Sequence, residues 1–180
     1  MLINIILIVV VIIAGVLLAS YNSFIRLNNS VKQSESNIDV LLNQRFDLLP
    51  NLIETVKGYT KHESSTLNEI TDLRTNYQKS NFSVEEASKI DKSFSKVIAI
   101  AENYPELKAN TNFLSLQEEL SNTENQISSS RASYNNIVTA YNTKLEIFPN
   151  NIIANMFNFK QAELFKVEDE AIKNNVKVSF

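Results

Sequence analysis

The single histidine, His62, stands beside Glu63 and seven residues before Glu69. An imidazole among carboxylates is a starting point for acid–base catalysis or for a metal site. The spacing defeats both. Neighbouring residues on a helix do not face each other. A seven-residue step keeps one face but separates the groups by about 10 Å at about 1.5 Å per residue, too far to share one ion. There is no second histidine and no cysteine to complete a ligand set. Serines are plentiful, but none lies in a nucleophile elbow. The only glycines, Gly15 and Gly58, are too few and too far apart for a phosphate-binding loop. The sequence therefore predicts no catalytic residue, no cofactor, no metal site and no enzyme.

The informative polar residue is an arginine in the wrong place. In "IDVLLNQRFDLLPNLIETVKGYTKHE" (38–63), steps of seven join Val31, Ile38, Arg45, Leu52 and Tyr59. A companion row joins Leu42, Leu49, Val56, Glu63, Ile70 and Tyr77. This is the seam of a helix packed lengthwise on others. A charge on such a seam must find a partner or lose hydration at a cost of several kcal/mol. Candidate partners are Glu63 in the same helix and Glu124, seven residues before Arg131 in a later polar row. Together Arg45, Glu63, Glu124 and Arg131 are predicted to form a structural polar layer that sets register, within the chain or with a neighbouring copy. Pro50 removes the donor for the Phe46 carbonyl. A kink is expected there rather than a boundary at Leu49, because the seven-residue register runs through Leu52 unbroken.

The elements that carry these residues begin with "LINIILIVVVIIAGVLLA" (2–19), apolar except for Asn4. As a helix it spans about 27 Å, close to a hydrocarbon core of about 30 Å. A cleaved signal peptide would want a basic start, a shorter apolar core and small residues at the cleavage site. Leu17 and Ala19 make a poor site, so an uncleaved anchor is expected. Arg26 and Lys32 follow the run and no basic residue precedes it. The expected topology is single-pass in the cell membrane, with the N-terminus outside and the remainder cytoplasmic.

Two glycines and three prolines in 180 residues argue for long helices and few turns. The net charge of −3 is spread without blocks, so no nucleic-acid surface is expected. One helix is predicted over about 21–79 and a second over 84–103, opened by a Ser83/Glu86 capping box. The second repeats Ala87, Ile90, Phe94, Val97, Ala101 and Tyr104. A third, 111–147, carries Phe113, Leu120, Ile127, Tyr134, Tyr141 and Phe148 seven apart. A fourth is predicted over 150–168, followed by an extended tail, 169–180. The frequent asparagines read as compositional bias. The fold class is all-α: a transmembrane anchor, 1–20, continuing into an elongated antiparallel four-helix bundle, 21–168, with coiled-coil-like packing.

In this scheme the first helix, about 90 Å long, outruns its neighbours. The second returns only about 30 Å along it, and the third rises again parallel to it. Val31, Ile38 and Leu42 are left without cover and read as a self-association stalk.

The anchor with "SYNSFIRLNNSV", then "QRFDLLPNLIETVKGYTKHE", "LQEELSNTENQISSSRASYNNIVTAYN", "FPNNIIANMFNF" and the final "VSF" resemble, in this order, the LemA family of bacterial membrane-anchored proteins. The resemblance implies an N-terminal membrane helix, a helical cytoplasmic remainder and no assigned reaction. The expected function is a self-associating, membrane-anchored scaffold or organiser. The alternative is a monomeric adaptor that presents its helices to another membrane protein, such as a protease or transporter. Expected partners are the lipid bilayer, further copies of the chain and, on the alternative, that membrane protein.

Overall fold

A computed structural model of the chain describes residues 1–59, 64–77, 79 and 82–165. Its regular elements are all helical: α1 (Leu2–Asp47), α2 (Leu49–Lys57), α3 (Ser64–Tyr77), α4 (Val84–Glu102), α5 (Pro105–Lys108), α6 (Thr111–Glu146) and α7 (Asn150–Met156). The predicted tail, 169–180, lies outside the described residues.

The anchor and the first part of the body are one helix. α1 runs for 46 residues, and none of its most apolar 18-residue window is buried. A core helix of a water-soluble domain would be covered; this one is long and apolar enough to cross a membrane. Beyond the apolar run one apolar stripe is buried: Phe24, Val31, Ile38, Leu42 and Phe46.

The expected helix over 21–79 is interrupted at Leu48. Its amide donates to the Arg45 carbonyl at 3.2 Å, a tighter step than the helical one. Pro50 falls in the first turn of α2, where a missing N–H costs nothing because that donor has no helical acceptor. α2 ends at Lys57, and α3 begins at Ser64. α3 packs with α4, and the Tyr77 hydroxyl ties it to α1 by donating to Asp39 Oδ1 at 2.8 Å. α4 follows the predicted pattern: Ala87, Ile90, Phe94, Val97 and Ala101 are buried. The Glu86 amide reaches Ser83 Oγ at 3.5 Å. After Tyr104 the chain makes the single turn α5, with Pro105 at its start.

α6 then begins beside Tyr59, whose hydroxyl accepts from Asn110 Nδ2 at 2.9 Å. It runs back along α1: Glu124 meets Arg45, and Lys144 meets Ser23. Its 36 residues cover about 54 Å. This corrects two expectations. The third long helix descends toward the anchor instead of rising parallel to α1. The stripe assigned to a self-association stalk is covered within the chain, with Val31 3% exposed and Ile38 and Leu42 fully buried. The breaks at Leu48 and after Lys57 shorten the first helix, so α6 starts near its distal end and has the length to return over the stripe.

The fourth helix is also shorter than predicted. α7 ends at Met156, where Asn158 takes a left-handed conformation with φ of 55°. The Phe159 amide reaches back to the Ala154 carbonyl at 2.9 Å, and the Asn158 amide to that of Asn155 at 3.3 Å. This paired closure stops a helix, and asparagine tolerates the left-handed position better than most residues. Residues 159–165 continue without regular structure along α6.

Ile38 and Val40 share one helix but face differently, the first fully buried and the second 53% exposed. Ile38→Ala should cost about 2–5 kcal/mol in urea unfolding of the detergent-solubilised chain. Val40→Ala should stay within about 0.5 kcal/mol of the wild type.

Candidate functional site

The polar residues buried between α1, α4 and α6 are the strongest candidate for a functional feature. Arg45, 6% exposed, enters this layer from the last turn of α1. One Nη atom lies against Glu124 Oε2 of α6. The flat guanidinium also covers the Phe94 ring of α4, with Cζ 4.5 Å from the centroid. Three helices thus meet on one cation, and a planar group does what a lysine could not: it pairs at its edge while its face covers an aromatic ring.

Two turns along α6, Arg131 makes a different set of contacts. Nη2 donates to the Ala87 carbonyl of α4 at 3.2 Å, and the guanidinium stands 4.9 Å from the centre of Phe165. Arg45, Glu124 and Arg131 therefore occupy the interior face between the helices, but not as one ionic cluster. Glu124 takes Arg45, whereas Arg131 joins α4 to the segment after α7. Glu63 lies outside the described residues, as do His62 and the backbone around it. Pro50 sits two residues beyond the break at Leu48, one turn away from Arg45.

Closer to the anchor the layer becomes acidic and phenolic. Burial raises the Glu35 carboxyl pKa above its ordinary value, partly offset by Lys32 and by a hydrogen bond with Tyr134. Ionising Glu35 therefore works against the folded state. The Tyr134 hydroxyl donates to the Glu163 carbonyl at 2.8 Å. Burial, reinforced by the charges of Glu35 and Glu163, pushes that phenol up to about 12. Tyr77 is likewise raised, first by burial and then by its bond to Asp39. These phenols remain protonated donors at any physiological pH and serve as fixed struts.

Two asparagines do work that the sequence reading assigned to composition. Asn142 Nδ2 donates to the Ala162 carbonyl at 2.9 Å while its Oδ1 accepts from the Ala162 amide at 3.0 Å. Asn135 holds Phe165 in the same two-way fashion, at 2.9 Å for each bond. A carboxamide offers one donor and one acceptor side by side, so it can pair with a backbone as a strand would. The seven-residue interval from Asn135 to Asn142 was the available signal. Asn110 is a third case: its Oδ1 caps α6 by accepting from the amides of Asn112 and Phe113 at 2.9 and 3.1 Å.

These geometries hold helices together and strap a segment across them. Among the described residues no group of three or more histidines, cysteines or carboxylates stands close enough to hold a metal ion.

The profile of the LemA family matches residues 34–180, and the chain belongs to that family. It is 27% identical over 155 residues to protein LemA of Metamycoplasma hominis, across 82% of this chain and 69% of that protein. It is 22% identical over 179 residues to magnetosome protein MamQ 2 of Paramagnetospirillum magneticum, across 83% of this chain and 66% of that protein. Magnetosome protein MamQ of Magnetospirillum gryphiswaldense is 21% identical over 178 residues, and the match takes in 65% of its length. The chain thus spans about two thirds of the length of these relatives.

The Arg45–Glu124 pair is asymmetric: the arginine side chain is 7% exposed and the glutamate 43%. Glu124→Ala should therefore be the more damaging change, costing about 2 kcal/mol by removing a charged hydrogen-bond acceptor from beside a buried cation. Arg45→Met leaves a carboxylate that reaches water and should cost about 1 kcal/mol. Urea unfolding of both variants checks the order. Equal losses would assign the stability to packing on Phe94 instead of to charge.

Proposed function

We propose that this member of the LemA family is a single-pass, membrane-anchored helical scaffold that organises other molecules by its surfaces and catalyses no reaction. The observation that carries the reading is the continuity of α1. One unbroken helix passes from the apolar segment into the stripe that α6 covers. Anchor and body therefore share a rigid axis, and the body is held at a set height and direction. Phe24, fully buried, stacks on Phe159 at 5.0 Å only a few residues beyond the apolar run, so packing starts at once and leaves no free linker. Arg45 and Pro50, on either side of the break at Leu48, set the register and direction of the distal part.

Self-association belongs to the scaffold reading, through a face other than the Val31–Ile38–Leu42 stripe. The complete coverage of that stripe favours a second reading, a monomeric adaptor for another membrane protein. The mass of the detergent-solubilised full-length chain separates the two. A multiple of the 20.4 kDa chain mass supports the scaffold, and a single chain supports the adaptor.

Arg26 and Lys32, following the apolar run, orient the body toward the cytoplasm. The chain has no cysteine, so Glu118→Cys, at an exposed position of α6, supplies a unique label site. An impermeant maleimide should leave it unmodified in intact cells and modify it after permeabilisation. Ready labelling of intact cells would reverse the topology.

A further inference from the structure

The seam of α6 fails at one residue. Phe113, Leu120, Ile127, Tyr134 and Tyr141 are buried in turn, but Phe148, the next member, is 78% exposed. It is not alone. Ile147 is 50%, Ile152 52%, Met156 64% and Phe157 51% exposed. These five residues form the elbow where α6 ends and α7 begins. α7 is two-faced: Ile153 and Ala154 pack inward, while Ile152 and Met156, four residues apart, look out. Five large apolar side chains together on one corner are not a neutral water-exposed surface.

The position of the elbow identifies its occupant. Phe157 lies 4.7 Å from the Tyr21 ring, two residues beyond the apolar run 2–19. That is about 3 Å along the helix axis from the end of the run. α6 descends toward the anchor, with Lys144 level with Ser23. Phe148, four residues on, comes up to about 6 Å nearer, level with the end of the apolar run. The headgroup region occupies the several ångströms just outside the hydrocarbon core. Charge agrees: from Ile147 to Ala162 there is no acidic residue, and Lys160 is the one charged residue. Asparagines fill the positions between the apolar ones, offering hydrogen bonds to headgroups and water without the cost of placing a charge there.

We propose that the α6–α7 elbow is a second membrane contact, in which Ile147, Phe148, Ile152, Met156 and Phe157 enter the headgroup–acyl boundary of the leaflet from which α1 emerges. The inference rests on α1 being a membrane anchor and goes beyond it. The body is fastened at two points, by a spanning helix and by a dipped corner, and this fixes its rotation about the anchor axis as well as its height. Amphipathic elements of this kind bury their apolar face about 5–10 Å into the interface.

The chain contains no tryptophan, so single-tryptophan variants report one position each. Full-length Phe148→Trp, Ile8→Trp and Leu114→Trp variants would be reconstituted in vesicles of phosphatidylcholine and phosphatidylglycerol. The acyl chains would be plain or brominated near their glycerol end. Ile8 probes the anchor, and Leu114 probes an exposed apolar position at the far end of α6. The expected result is loss of emission in brominated vesicles for Phe148→Trp and Ile8→Trp, and unchanged emission for Leu114→Trp. Met156→Trp repeats the reading on the same corner should the first variant fold poorly. If Ile8→Trp keeps its emission, the anchor reading itself fails. If Ile8→Trp is quenched while the elbow tryptophans are not, only the second contact is overturned. Acrylamide then tells what replaces it. Shielding means that protein, a second copy or a partner, covers the corner, and quenching means that the corner faces water.

Discussion

With α1 read as a membrane anchor, one helix in this protein has to satisfy two solvents. Over its first eighteen residues α1 is apolar on all sides save at Asn4 and uncovered by the rest of the chain. From Phe24 onward it is apolar on a single stripe, and that stripe needs cover along its whole length. The remainder of the fold follows from this demand. A cover of matching length needs a helix of comparable length, and α6 is that helix. It must begin at the far end and run back, so the chain between them turns through α3, α4 and α5 before it can start. The short breaks at Leu48 and after Lys57 make that turn possible without carrying the first helix beyond the reach of its cover.

The polar groups within the core belong to the same logic of alignment. An apolar seam with a seven-residue repeat can slide by a whole repeat and still bury similar area. Arg45 removes that degeneracy, because only one register sets its guanidinium against Glu124 and over Phe94. Arg131 does the same for α4 through the Ala87 carbonyl. The pair Asn135 and Asn142 fixes the strap after α7 at two points, where there is no regular secondary structure to hold it. Specificity is built from single-residue contacts laid over a repetitive apolar surface.

A body anchored by a rigid helix differs in kind from one tethered by a flexible linker. A flexible linker separates the orientation of a domain from that of the membrane, whereas a continuous helix transmits it. The early packing of Phe24 against Phe159 and Tyr141 extends this rigidity to α6 and the strap. On the proposed scaffold reading, a set orientation presents the same face to every neighbour in the plane of the membrane.

Much of this was legible in the residues, and for local reasons. The apolar run needs no partner to be recognised, because its length and composition match a bilayer. The seven-residue rows on α1, α4 and α6 identified nearly the whole core, because burial of a stripe is written in spacing. The seam arginine marked itself by standing where only apolar residues belong. What local reasoning missed depended on direction and on ends. No spacing says which way a helix runs, so the stripe of Val31, Ile38 and Leu42 looked uncovered until α6 was seen to descend over it. Asn158 in a left-handed turn stopped α7 where periodicity alone allowed it to continue. Which carboxylate would meet Arg45 and which asparagines would clamp a strap were decided by contacts between residues 20 to 79 positions apart. Those contacts exist only once the chain has turned back on itself, because a helical repeat records which face is buried and carries no record of what buries it.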